Sequence, residues 1–233
     1  MKTSHDDQPR RHVEETKVFF DDLALGWSGR YAADPAMHKR SERFYNGLHP
    51  YLSVGSQVLD FGCGSGLVAN HLSEKGYLVT GIDLSPKMIG QATLAGDGAN
   101  FIVYEGGGRL PFDDSMYDAV ISSSVLEYVP NLKEILLEFR RILKDEGILL
   151  ITVPDMRNRF RKKESVKRYL MLLPLFYHIL KMSRWKEGLE YLKLSCNRFS
   201  IDEWQKILDE TGFGMEIVPG QQGPLVLITA RAK

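Results

Sequence analysis

The string VLDFGCGSG, residues 58–66, is the feature that most restricts the fold. An apolar run wide enough for a buried strand meets glycines at 62, 64 and 66 and then passes into a helical pattern. Glycine at such a turn leaves no side chain between the backbone and a ligand, and the following helix start offers free amides to a polar group. The plain alternative is a tight strand-to-helix connection. What separates the two is the next apolar run, YLVTGID (77–83), which ends at Asp83, 21 residues after Gly62. A doubly wound sheet puts a carboxylate at about this distance to accept hydrogen bonds from both ribose hydroxyls. The spacing at 62, 64 and 66, with Asp60 ahead of it, departs from the GxGxxG pattern that cradles a pyrophosphate. It suits a cofactor with one nucleoside and no pyrophosphate.

The rest of the chain repeats the theme. Residues 57–61, 77–83, 100–104, 117–123 and 147–154 are short runs rich in Val, Ile and Leu, separated by helical stretches near 66–75, 85–95 and 131–143. In the last of these, Leu132, Ile135, Leu136, Phe139, Ile142 and Leu143 fall at helical spacing, with Gly147 expected to close the turn beyond. This alternation predicts a doubly wound, mostly parallel sheet covered on both faces. Near the C-terminus, Ser200 and Glu203 have capping-box spacing ahead of a helix over 201–210. Two closing strands near 213–218 and 225–230, joined by PGQQGP, predict an antiparallel edge hairpin and bring the sheet to seven strands. Residues 1–12 read as a disordered tail, followed by amphipathic helices near 13–25 and 37–52.

Four segments, VLDFGCGSG, GIDLSPKMI (81–89), RLPFDDSMYDAVISSSVLEYV (109–129) and EFRRILKDEGILLITVP (138–154), occur in the order of the motifs of class I methyltransferases. The chain resembles the UbiE/UbiG-like small-molecule group of that family over roughly 56–153, and more weakly through NRFSIDEWQKILDETGFGMEIV. The resemblance implies S-adenosyl-L-methionine as cofactor and a Rossmann-like domain over 53–233. Residues 1–52 would be a tail and helical cover, and a helical lid would be inserted at about 155–198. It implies that Gly62, Cys63 and Gly64 run under the methionine portion, with Asp60 before them. Asp83 would hold the ribose, Leu84 and Met88 would pack beside the adenosine, and Ser122 would lie near the methionyl group. Ser123 and Ser124 are neighbouring hydroxyls of the same strand end, and Met88 is equally readable as core.

At one place the pattern is broken. Where the family carries an acid and an alanine before its LPF, this chain has Gly106 and Gly107, so adenine would be read by backbone groups or by Glu105, or the glycines only make a loose loop.

The chemistry implied is displacement of a methyl group from a sulfonium, for which positioning is the main requirement and a base helps if the acceptor is a hydroxyl. Glu127 is the candidate base, against the alternative of an exposed glutamate at a helix start. Tyr31, His38 and Arg40 in the N-terminal cover are further suspects, and His178 reads as packed. Cys63 needs no nucleophilic role, since a small residue there is explained by closeness to the cofactor. With Cys196 it makes two widely separated cysteines, which a reducing compartment leaves unpaired. No metal ligand set is visible.

Charge points to the partner. The chain carries 30 basic and 30 acidic residues, yet residues 155–198 hold twelve Lys and Arg against four Asp and Glu, a surplus of eight. Within them, Leu170 to Leu180 is apolar and aromatic, too short to cross a bilayer but able to lie at an interface or cover an apolar acceptor, with Pro174 bending any helix there. A small or lipid-like organic acceptor, methylated at oxygen, is therefore expected, with peripheral membrane contact through 155–198 as an extension. The polar N-terminus lacks the apolar core of a secretory signal, which predicts a cytoplasmic protein. Two other readings stand beside this. An RNA methyltransferase would use the basic segment, although the tetrad of amino-directed DNA enzymes and a Pro-Cys pair are both lacking. A non-catalytic cofactor-binding partner protein is the other.

Overall fold

The computed structural model describes residues 7–32, 35–96, 98–170, 186–217 and 224–233. Strands β1 (Gln57–Phe61), β2 (Leu78–Asp83), β3 (Asn100–Val103), β4 (Tyr117–Ser123), β5 (Leu143–Pro154), β6 (Phe213–Ile217) and β7 (Leu225–Ala232) form one sheet in the order β3-β2-β1-β4-β5-β7-β6. The first five pair in parallel, and β7 runs antiparallel to both β5 and β6. This is the doubly wound sheet the alternation predicts, with one refinement. The closing hairpin does not simply extend the edge, because β7 is inserted between β5 and β6.

Helices α3 (Leu67–Glu74), α4 (Pro86–Ala95) and α5 (Leu132–Ile142) provide the crossovers of the parallel part. Side chains alternate between the two covered faces. Leu59, Phe61, Val120, Leu149 and Ile151 join Leu136 and Phe139 of α5 on one face. Val58, Ile121, Ile148 and Leu150 join Ala69 and Leu72 of α3, together with Phe44 and Leu48, on the other. In α5 the residues buried are Leu132, Ile135, Leu136, Phe139 and Ile142, five of the six read from spacing, whereas Leu143 is the first residue of β5. Two caps also follow the local code. Ser85 accepts from Met88 N with Pro86 in the first turn of α4, and Ser200 with Glu203 forms the full capping box of α8 (Ile201–Glu210).

The N-terminal cover is larger than expected. Helix α1 spans Asp7–Ala32, so residues 7–12 are helical rather than part of a tail, and α2 covers Pro35–Leu48. What holds α1 is tertiary: His12 Nε2 lies 3.1 Å from Tyr128 O, Lys193 Nζ 3.1 Å from Glu15, and Asp21 accepts from the Ser85 hydroxyl. A second difference lies after α5, where Glu146 takes the left-handed conformation (φ 61°) in place of Gly147. Gly147 is required for closeness instead, since a Cβ there would stand 2.8 Å from Lys144 O. Of residues 155–198, α6 (Arg159–Leu170) and α7 (Lys186–Leu194) are described. The apolar run after Leu170, with Pro174 and His178, lies outside the described residues.

Candidate functional site

In a doubly wound sheet the crevice opens where neighbouring strands send their crossovers to opposite faces, here at the C-terminal ends of β1 and β4. A cavity of about 1340 Å³ occupies that place. Single ligands usually take about 300–1,000 Å³, so there is room for two molecules side by side. Its floor is the glycine turn with Asp83 and Leu84, and its sides come from the loop at 105–108, from α1 and from α6 and α7.

The three glycines of the turn have φ of 75°, 53° and 78°, the left-handed region that favours glycine. Their reasons differ. A Cβ on Gly62 would sit 2.3 Å from Val125 Cγ2, and one on Gly66 2.7 Å from Phe101 Cζ, so both are fixed by packing of the protein against itself. At Gly64 the nearest atom to a Cβ is Trp27 Nε1 at 3.9 Å, and it is this glycine that opens onto the cavity.

Asp83 is tied to the turn. Its Oδ2 accepts from Gly64 N at 2.9 Å and its Oδ1 from Ser85 N at 2.9 Å. Burial raises its pKa, opposed by these N–H donors and by that of Leu84, while Asp21 pushes it further up. Asp60 has no such help. It is 1% exposed, neither oxygen has a hydrogen-bond partner among the described residues, and burial together with Asp83 pushes its pKa up to about 8. A buried pair of acids of this kind, one unpaired, is suited to a nearby cation.

Gly62, Gly64, Asp83, Leu84, Met88, Gly106, Gly107 and Glu127 all line the cavity. Asp60, Cys63 and Ser122 stand behind its wall. Asp60 follows strand parity away from Leu59 and Phe61. Cys63 packs against Gly81, where a Cβ would be 2.9 Å from its Sγ. Burial first, then Asp60 and Asp83, pushes the Cys63 thiol pKa well up, which keeps it a thiol. Ser122 is fully buried and donates to Phe61 O at 3.0 Å, tying β4 to β1. The serines at the cavity are instead Ser123, whose buried hydroxyl has no partner among the described residues, and Ser124, which turns the chain at φ 61°. At the other end, Gly106, Gly107 and Gly108 all have positive φ, and a Cβ at Gly106 would stand 2.7 Å from Val13 Cγ1, so α1 closes tightly on this loop.

Glu127 is not an exposed helix-start residue. It lies in a 3-10 turn (Leu126–Tyr128), 4% exposed, with Oε2 accepting from Ser195 Oγ at 3.0 Å. Burial raises its pKa, against Arg161, the Ser195 hydroxyl and Arg198, which lower it. The turn is clamped by the segment after α7. Cys196 N and Asn197 N donate to Glu127 O, and Asn197 Nδ2 donates to Leu126 O and Val129 O at 2.8 and 2.6 Å. Sequence reasoning had no signal for Ser195 or Asn197, which are polar residues in a loop. Beside Glu127, Phe20, Tyr128 and Tyr191 make an aromatic wall, with Tyr128 5.6 Å from Phe20 and 6.4 Å from Tyr191 between ring centres. Arg40 also lines the cavity and His38 is exposed; the side chain of Tyr31 lies outside the described residues.

Comparison with known proteins places the chain in a family. The methyltransferase domain family matches residues 59–151. The chain is 30% identical over 165 residues to the demethylmenaquinone methyltransferase of Tropheryma whipplei (strain Twist), covering 70% of this chain and 68% of that one. It is 34% identical over 141 residues to the ubiquinone biosynthesis O-methyltransferase of Dechloromonas aromatica (strain RCB), covering 57% and 60%. Among solved structures, the magnesium protoporphyrin IX methyltransferase from Synechocystis PCC 6803 with bound SAH has a TM-score of 0.64 over 94% of this chain and 98% of that chain, at 18% identity, and shares the fold.

Proposed function

The chain belongs to the class I S-adenosylmethionine-dependent methyltransferases, and on that footing we propose that it methylates a small, largely apolar organic acceptor at a hydroxyl oxygen, with Glu127 as the base. The observation that carries this reading is that Glu127 and the aromatic wall share one cavity with the glycine turn and Asp83. The cofactor supplies a methyl carbon on a sulfonium, a cation that leaves as a neutral thioether.

The residues present fit that group. Asp83 offers a carboxylate to vicinal hydroxyls by exchanging its Gly64 N–H contact, and Gly64 leaves space at the turn. Leu84 and Met88 provide an apolar surface for a purine, and the positive-φ glycines at 106 and 107 leave only backbone groups to read its edge. Both of the similar quinone-pathway enzymes carry methyltransferase names, one of them at oxygen, which supports an acceptor of modest size.

Glu127 would take the hydroxyl proton as the oxygen attacks. A carboxylate whose pKa is raised by burial is a better base near neutrality than an ordinary one. The segment 155–198 would act as a lid: Arg161 and Glu164 of α6 and Tyr191 of α7 already border the cavity. The surplus of eight positive charges over these residues, with Val166 and Tyr169 exposed on α6, supports access to a lipid-like acceptor at an anionic surface. Among the described residues no helix is long and apolar enough to cross a membrane.

The test is calorimetry with S-adenosylhomocysteine followed by methylation of a panel of phenols, amines and thiols. Asp83→Ala should weaken S-adenosylhomocysteine by about 1–3 kcal/mol, the loss of a charged hydrogen-bond partner. Glu127→Gln should lower kcat on a phenol by about 10²–10⁴ with little change in cofactor affinity. Turnover of amines with no turnover of phenols would remove the oxygen reading, and full activity of Glu127→Gln would remove its role as the base.

A further inference from the structure

Two guanidiniums and one carboxylate meet where α6 borders the cavity. Arg161 Nη1 lies 2.9 Å and Arg198 Nη2 3.0 Å from the same oxygen, Glu164 Oε2. Arg161 Nε also donates to Pro224 O at 3.2 Å, which fixes two sides of its plane. Its Nη2 has no hydrogen-bond partner among the described residues. Arg198 is 8% exposed and its Nη1 is buried without a partner among the described residues. The other acid nearby, Glu127, is bonded to the Ser195 hydroxyl and to neither guanidinium.

The charge arrangement is therefore uneven. Two permanent cations share a single direct counter-ion, in a place from which most water is excluded. A buried cation in a low-dielectric site is costly unless matched, and Glu127 is held by the Ser195 hydroxyl and paired directly with neither guanidinium. A guanidinium with one open edge presents two N–H groups in the geometry that suits a carboxylate or phosphate. Arg161 borders the cavity together with Tyr128 and Tyr191, so an anion there would have an apolar surface beside it.

We propose that Arg161, backed by Arg198, receives an oxyanion of the methyl acceptor, so that the acceptor is an apolar-bodied molecule carrying a carboxylate or a phosphate. This rests on the reading that the cavity takes the acceptor beside S-adenosylmethionine. It adds that selection between acceptors is electrostatic and resides in the inserted segment, not in the part shared with the family.

The test uses the full chain with saturating S-adenosylhomocysteine, in a buffer without phosphate or sulfate, and three probes: benzoate, phenyl phosphate and benzyl alcohol. At least one aryl anion should bind at least about tenfold more tightly than the neutral alcohol, as for a gained charge-assisted pair. Whichever anion binds better names the group. Arg161→Gln should bring the anions down to the level of the alcohol while S-adenosylhomocysteine affinity stays unchanged, and Arg10→Gln, at an exposed cation on the same cavity, should keep the preference. Equal affinity for all three probes, no anion binding at about 10 mM, or a preference that survives Arg161→Gln would overturn the proposal. If Arg161→Gln loses S-adenosylhomocysteine binding, the wild-type comparison decides, since a missing anion preference there refutes the site. Absence of S-adenosylhomocysteine binding to the wild type would count against the cofactor site instead, and its presence without an anion preference against the oxyanion site only.

Discussion

Asp60→Asn tests the electrostatics beneath the glycine turn. The Asp60 carboxyl is 1% exposed, has no hydrogen-bond partner among the described residues, and burial together with Asp83 pushes its pKa from the ordinary 3.8 up to about 8. Because the folded pKa is the higher, the folded state binds the proton more tightly, so its contribution is most favourable below the unfolded pKa and is lost as pH rises towards the folded one. At 1.36 kcal/mol per pKa unit, folding the protonated acid from an ionised unfolded chain costs about 2 kcal/mol near pH 5 and about 5 kcal/mol near pH 7.5. Asparagine does not titrate. Its amide also lacks partners there, which adds a cost of about 1–3 kcal/mol that does not depend on pH. The difference between the two pH values cancels that cost. Urea unfolding of the ligand-free protein should therefore show Asp60→Asn gaining about 3 kcal/mol relative to wild type on going from about pH 5 to about pH 7.5. A stability difference that stays constant across this range would refute the assignment of an uncompensated acid at Asp60.

Three further outcomes are expected. Gly62→Ala should destabilise by about 2–4 kcal/mol in thermal or urea unfolding, because φ is 75° and the new methyl would meet Val125 at 2.3 Å, while Gly107→Ala, at φ 80° with open space, should cost only about 1–2 kcal/mol. Asn197→Ala removes two hydrogen bonds to the turn carrying Glu127 and should cost about 1–3 kcal/mol, with faster amide exchange at 126–129 as the local readout. In liposome flotation the chain should associate with anionic vesicles more than with neutral ones, and equal, negligible recovery on both would remove the membrane-surface reading of residues 155–198.

Much of this fold is written locally. The stripe at Leu132, Ile135, Leu136, Phe139 and Ile142 needs only the helical period, the Ser200–Glu203 box needs only three residues of spacing, and glycines at 62, 64 and 66 announce positive φ before any contact is known. The pairing of the turn with Asp83 was legible for the same reason, since adjacent parallel strands with one crossover keep that distance nearly fixed. Which atoms face the cavity was not. Ser122 and Ser123 differ by one step of strand parity, and the sequence has no mark that gives Ser122 to Phe61 O and leaves Ser123 open. Gly62 looked like a ligand-facing glycine, yet the nearest obstacle to a side chain there is Val125, from beyond another strand. Glu127 stays open in the sequence between a base and an exposed helix-start glutamate until Ser195 and Asn197, about seventy positions later, fold over its turn. Sequence by itself settled the strand and helix periods, the glycine turn and the identity of the cofactor family, because those depend on neighbours along the chain. The burial of Glu127, the sharing of Glu164 between Arg161 and Arg198, and the insertion of β7 between β5 and β6 were decided by tertiary structure alone, because each depends on surfaces that meet only when distant segments pack.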